Sequence, residues 1–360
     1  MRLLSVLAVA FLTAATLAPI GAQTPARAAK PSPATALPRT PDGHPDLQGT
    51  YDVATLTPLE RAPAQPLVLT DEDAAKLEQQ VADRKFRAGL PSRGDREAPP
   101  TGGDGSAGAA GNVGGYNNFW IDNGTRYVTV DGRKRASILI DPPNGRLPPL
   151  IPEARQRAAR TARTTSDQPS REDDPGFEPT PGAYDDPERR PLGERCLLGF
   201  GSTSGPPSLP VLYNNLHRIV QTPEHVMILN EMVHDARIVR MNAPHLPSPI
   251  RKWMGDSVGR WEGDTLVVDT TNFTDKTRFR GSSENLHVVE RFSRIDAKTL
   301  LYRFTIEDSA TWASPWTGEY TWPATDEQLY EYACHEANYA LGDILRGARL
   351  KEANEAVKKK

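Results

Sequence analysis

The chain lacks the short motifs that mark the commonest enzyme classes. Of its 360 residues only two are cysteine and seven are histidine. No C-x-x-C pair occurs, so neither a redox dithiol nor close-paired zinc ligation is indicated. H-E-x-x-H, the G-x-S-x-G elbow, the P-loop and a G-x-G-x-x-G turn after a strand are also missing. Positive charge is not in excess: 43 basic against 46 acidic residues leave a formal net charge of −3. The two signs are interspersed, and no basic face that would serve a nucleic acid is visible. Beyond Leu17 no apolar run approaches the roughly 18 residues needed to span a bilayer, so no membrane span is expected.

What is present begins with export. Arg2 supplies a positive start, Leu3 to Leu17 form an apolar run of signal-peptide length, and Pro19, Gly21, Gln23 and Arg27 interrupt it. Residues 1–28 therefore read as a signal peptide cleaved after Ala22 or Ala28, and the mature protein as periplasmic or secreted. No cysteine lies near the cleavage region, so a lipid anchor is not expected. In an oxidising compartment Cys196 and Cys334 invite a disulfide. Closing a loop of about 140 residues would stabilise the fold by roughly 4–5 kcal/mol in the chain-entropy account. Two separate buried thiols, or metal ligation through Cys334-His335, are the alternatives.

Pro and Gly are abundant, at 33 and 28 residues, which favours turns over long helices. Residues 29–45 read as a linker, 46–350 as a single domain with irregular insertions at 91–115 and 152–194, and 351–360 as a charged tail. Thr70 followed by Asp73 resembles a capping box, and Leu77, Val81 and Phe86 recur at helical spacing, predicting a helix over 71–88. Residues 152–163 could form a short basic helix. Strands are expected near 50 and over 118–140, with Asp131-Gly132 as a turn. After Leu212 come short apolar segments separated by turns. Leu300, Tyr302, Phe304 and Ile306 alternate with Leu301, Arg303, Thr305 and Glu307, the period of a half-buried antiparallel strand. Residues 328–333 are expected to continue the sheet, and Leu341, Ile344, Leu345 and Ala348 to sketch a closing helix. The fold class that follows is all-β dominated: an antiparallel meander closing into a calycin- or lipocalin-like barrel with a few peripheral helices. Closure would remove exposed strand edges; a flat sandwich is the alternative.

Several stretches carry a resemblance. They are Leu37–Gln48 (LPRTPDGHPDLQ), Asp141–Leu150 (DPPNGRLPPL), Arg195-Cys196 with GPPSLPVLYNN downstream, VHDARIV at 233–239, the long run at 259–292 beginning GRWEGDTLVVDTTNFTDKT, and YACHE at 332–336. Together they resemble a large family of exported bacterial proteins, often present in several copies per genome. The resemblance implies export and a shared fold, and it names no reaction. Two places depart from the family's pattern. Gly49-Thr50-Tyr51 stands where many members have Gly-x-Trp, and Met241-Asn242-Ala243-Pro244-His245 where they have Asp-Gly-Arg-Pro-His. If that second loop lines the site, the ligand here differs from that of the relatives.

Candidate chemistry rests on dispersed residues. His234 and His287 could move protons near neutral pH, with Arg237 or Asp235 orienting or stabilising charge. The expectation is that His234 and His287 face one cavity from different strands, with Arg237 at its rim. Asn214, Asn272, Lys276 and Arg280 are candidate substrate-binding residues, the last two as a lid over an anionic substrate. Each has a structural alternative: a satisfied histidine, a turn asparagine or a solvated charged loop. Nothing in the spacing of His217, His234 and His287 argues for a metal, and no cofactor is expected. The functional expectation is a cofactor-independent acid/base lyase or isomerase acting on a small polar or aromatic molecule. The competing one is a non-catalytic periplasmic carrier. Titratable groups converging on one pocket would favour the enzyme, and an apolar lining the carrier.

Overall fold

The computed structural model describes residues 37–88, 121–157, 184–199, 205–277 and 279–358. The stretch expected to be a signal peptide, residues 29–36 of the expected linker, the 91–115 insertion, residues 118–120 and residues 158–183 of the second insertion lie outside them.

Alternating residues build one ten-stranded sheet. Its strands are β1 (Gly49–Asp52), β4 (Leu139–Asp141), β5 (Leu216–Gln221), β6 (His225–Asn230), β7 (Ala236–Met241), β8 (Asp256–Glu262), β9 (Thr265–Thr271), β10 (His287–Asp296), β11 (Thr299–Glu307) and β12 (Trp316–Pro323). The order is β1-β5-β6-β7-β8-β9-β10-β11-β12-β4. The remaining two, β2 (Thr129–Val130) and β3 (Arg133–Lys134), form a separate hairpin across Asp131-Gly132, both at positive φ as a tight two-residue turn requires.

Neighbours in the large sheet are antiparallel except one. β7 and β8 pair in parallel through Arg240↔Val258 and Met241↔Gly259, because the connection of residues 242–255 carries the chain back before β8 starts. The sheet curls into a half-barrel and does not close. A single bridge, Tyr51↔Ala324, and the bond from Thr325 N–H to the Thr50 carbonyl draw β1 toward the end of β12, while β4 continues the ladder on the other side.

The inner face of the curl is the core. Phe292, Tyr302, Phe304, Trp316, Tyr320 and Trp322 are all fully buried on β10, β11 and β12. Gly318 fits this layer because a Cβ there would collide with the Phe304 ring. Large aromatic surfaces removed from water dominate the stability of such a core.

Helix α1 (Asp71–Ala88) starts where the capping residues put it: the Asp73 N–H donates to Thr70 Oγ1 at 3.1 Å, and that hydroxyl donates to Asp73 Oδ2 at 2.8 Å. Ala74 and Leu77 pack on Leu69, Ala136 and Tyr127, whereas Phe86 is exposed. Residues 152–157 are helical. Helix α2 (Ala340–Lys358) forms as the apolar spacing predicts but buries no residue, and it runs through the expected charged tail. Residues 328–333 are not a strand; the Tyr330 N–H donates to the Glu231 carboxylate at 2.9 Å instead of to a ladder partner. Cys196 and Cys334 are joined, with Cα atoms 5.8 Å apart across 138 residues of sequence. The end of the expected linker is ordered: Thr40 to His44 form a turn, Arg39 pairs with Asp264 at 2.7 Å, and the His44 ring stacks on Trp261 at 4.6 Å. No helix among the described residues is long and apolar enough to cross a membrane.

Candidate functional site

Strand alternation sends two sets of polar side chains to opposite faces of the sheet. Inward go His217, Asn230, Arg237, Glu290, Tyr302 and Tyr320, from six strands. Arg237 holds Glu290 with two hydrogen bonds, one of 2.9 Å from Nη2 to Oε1. The Tyr302 hydroxyl donates to Glu290 Oε1 at 2.8 Å and accepts from the Ser208 N–H at 3.0 Å. Tyr320 donates to the Ser208 carbonyl at 2.9 Å. His217 lies opposite Asn230. Burial, and next the charge of Arg237, push its pKa down to about 3 against the opposing contact with Asn230, so it is neutral. Arg237 is 4% exposed and Glu290 0%. This network is sealed; it can orient strands, but no reactant reaches it.

The outward set forms a chain of alternating carboxylates and imidazoles. His287 Nε2 and His245 Nε2 meet the same oxygen, Asp269 Oδ1, at 3.1 and 3.0 Å. The other ring nitrogens face Glu307 Oε2 at 3.0 Å from His287 and Asp256 Oδ2 at 3.3 Å from His245. An ionised carboxylate accepts and cannot donate, so the His287 ring, with a carboxylate at each nitrogen, is best satisfied as imidazolium. The bond to Asp269 accordingly raises the His287 pKa, assisted by Glu307 and opposed by burial. Asp269 is lowered in return, chiefly by His287. Burial tends to raise Asp256, but the Leu246 N–H, Lys252, Arg240 and His245 more than offset it. Among the described residues no group of three or more His, Cys, Asp or Glu is arranged to hold a metal ion.

A cavity of about 610 Å³ lies among segments that cover the half-barrel, with walls from residues 55–59, Val81 of α1, Tyr127, Ile138, residues 209–213, Met232 and Arg280. Most of the wall is apolar, and among the described residues Arg280 is its one charged residue.

Comparison of the chain with protein-family models, curated proteins and solved structures finds no match. Function must therefore be argued from these three places.

The structure brings together few of the residues singled out from sequence. The expectation that His234 and His287 face one cavity is corrected. His234 ends a kinked 3₁₀ turn (Met232–His234) in which Val233 and His234 both have positive φ, and it is exposed. His287 faces outward, because Val288, Glu290 and Phe292 take the buried side of β10. Arg237 is not at a rim but buried against Glu290. Asp235, half-buried, ends the 3₁₀ turn, and its carbonyl accepts the Asn230 N–H at 2.8 Å.

Asn214 takes a positive-φ turn position before β5. Asn272 ties its connection to the Leu246 carbonyl at 2.9 Å. Lys276 pairs with Glu188 at 3.5 Å on the surface. Of the expected binding residues only Arg280 lines the cavity. Glu290 and Asp269 are not among the candidates from sequence; for Glu290 one signal exists, since a glutamate in step with Val288 and Phe292 marks a buried charge that needs a partner.

Proposed function

We propose that this is an exported, non-catalytic binder of a small, largely apolar molecule, held in the cavity beside α1. The observation that carries the reading is the cavity itself. Its volume of about 610 Å³ falls in the range of about 300–1,000 Å³ common to small-molecule sites, which are mainly apolar with few polar groups. The imidazoles do not line it, which favours a carrier over an acid/base enzyme. The calycin-like container, a ligand inside a closed barrel, is replaced in this reading by a ligand among the segments that cover a half-barrel. Export is supported by the joined Cys196 and Cys334, since such bonds persist in oxidising compartments. A neutral fluorescent probe, N-phenyl-1-naphthylamine, should bind the purified chain. Val81→Trp, which fills the cavity from the helix side, should weaken it at least about tenfold, or 1.4 kcal/mol. No probe binding, or binding indifferent to Val81→Trp, would remove the carrier reading.

One observation favours a second reading, the cofactor-independent acid/base enzyme. His245 and His287, each about 30% exposed, share one carboxylate oxygen and could pass or donate a proton. A metabolite screen that finds turnover, lowered about 10²–10⁴-fold by His287→Gln, would establish it. Turnover unaffected by that substitution would leave these residues as a surface ion network.

A further inference from the structure

The backbone of Arg280 sits in a well-anchored turn. It occupies, with Gly281, the two central positions of a tight turn whose flanks exchange both backbone hydrogen bonds: Phe279 N–H to the Ser282 carbonyl at 3.0 Å and the reverse at 2.9 Å. Both central residues have positive φ, 51° and 97°. Glycine accepts this readily, whereas arginine does so at a cost. The flanks are themselves anchored. Phe279 is fully buried and stacks on Trp316 at 6.0 Å, and Ser282 Oγ accepts from Trp312 Nε1 at 3.0 Å.

The guanidinium so presented has no hydrogen bond or ion pair among the described residues. Loss of water against the cavity wall lowers its pKa, opposed only by the field of Glu60. Glu60 is itself engaged, pairing with Arg146 at 3.3 Å and accepting the Leu147 N–H at 2.8 Å. Arg280 remains exposed overall, so a ligand entering from solvent can reach it. An arginine stays charged at any physiological pH and presents a planar fork that fits a carboxylate with two bonds.

We propose that the cavity takes an amphipathic monocarboxylate, its apolar body against Ile138, Leu209 and Met232 and its carboxylate on the Arg280 guanidinium. The inference rests on the reading of this cavity as the binding site and adds the chemical class of the ligand. One cation matches one anion, and a second acidic group would meet no counter-charge among the described residues of the wall.

Decanoate and decan-1-ol share the apolar body and differ in charge, and both can be titrated by displacement of the neutral probe at low salt. The wild-type chain should prefer decanoate by about ten- to hundredfold, the span of a charge-assisted hydrogen-bonded pair. Arg280→Gln should abolish that preference and leave decanol binding unchanged. Glutamine carries the same positive-φ strain, and a melting curve would verify the fold. Arg280→Lys, which keeps the charge but not the fork, should restore part of the preference. Equal binding of decanol and decanoate by the wild type would overturn the ligand class while the binder stands. A preference that survives Arg280→Gln would overturn the assignment to Arg280. If neither compound displaces the probe, the proposal fails together with the reading beneath it.

Discussion

On the inner face of β10 Glu290 meets Arg237, with side chains 0% and 4% exposed; three residues earlier, on the outer face, His287 meets Asp269, with side chains 31% and 26% exposed. The chemical groups are alike, and their energetics are opposite. Water screens the outer pair, so its two charges gain little from each other and lose little when parted. The inner pair has given up its water and holds its charges only because each satisfies the other, with Tyr302 completing the set. This buried network ties β7, β10 and β11 together through Arg237, Glu290 and Tyr302. A half-exposed one can exchange protons and ions with solvent.

The largest effect is expected of Glu290→Ala. It leaves Arg237 buried without a counter-charge and should cost about 3–5 kcal/mol in denaturant unfolding. Arg237→Met combined with Glu290→Met should recover most of that loss, since a buried pair replaced by apolar groups is often neutral. A cost for the single change below about 1 kcal/mol, the range of surface pairs, would show that the inner face is not closed.

Next in size is the acid response. His217 has a folded pKa of about 3, below its ordinary 6.5, so the unfolded chain takes up the proton first. Stability contributed by the neutral ring is full above 6.5 and declines as pH falls from 6.5 toward 3. Stability curves of the wild type and His217→Phe should diverge over that window, by about 2–4 kcal/mol near its lower end. Parallel curves would mean that His217 is reached by water.

Asp52 on edge strand β1 lies between the extremes. Burial first, and then the charges of Asp122, Glu327 and Glu231, raise its pKa to about 6 from 3.8, against the opposing Ala54 N–H. A carboxyl raised on folding destabilises progressively as pH climbs from 3.8 to about 6 and remains a cost above it. Asp52→Asn keeps an acceptor for the Ala54 N–H and should raise stability at pH 7 by about 1–2 kcal/mol, after discounting for partial solvation. No gain in thermal unfolding would mean that the carboxylate is well hydrated.

The smallest effect belongs to the outer face. His287 is raised above 6.5, so its ion pairs stabilise fully below 6.5 and lose their contribution as pH rises through the higher folded value. His287→Asn should cost no more than about 1 kcal/mol at pH 6, less in high salt, and nothing at alkaline pH. NMR titration of the imidazole follows the same event directly. A loss of several kcal/mol would place the outer chain in the same class as the inner one.

Much of the architecture was legible in short-range patterns. The period of two over residues 300–306 is the strand β11 with Leu300, Tyr302, Phe304 and Ile306 buried, and Thr70 marked the start of α1. The pairing of Cys196 with Cys334 followed from there being no other thiol. The site was far less legible. On β10 the choice of inner face could be made by pairing His287 with Val289 or by pairing Glu290 with Val288 and Phe292. The first misplaces His287, and only the partner strands decide between them: Arg237 on β7 and Tyr302 on β11 donate to the Glu290 carboxylate on the inner face. The apolar pattern around His234 suggests a strand, yet two successive positive-φ residues, Val233 and His234, turn the chain there.

Alternation, capping and cysteine count act over a few residues or over the whole composition, so the β-rich class, the start of α1 and the one possible pair of cysteines could be read from the sequence alone. Tertiary structure alone decided the parallel step from β7 to β8, the open curl, and the partners of each charge. It alone also put the Arg280 turn beside an apolar cavity built from segments as distant in sequence as Thr55 and Arg280. Those outcomes depend on which distant side chains share a face and how much water they lose, and no local spacing encodes either.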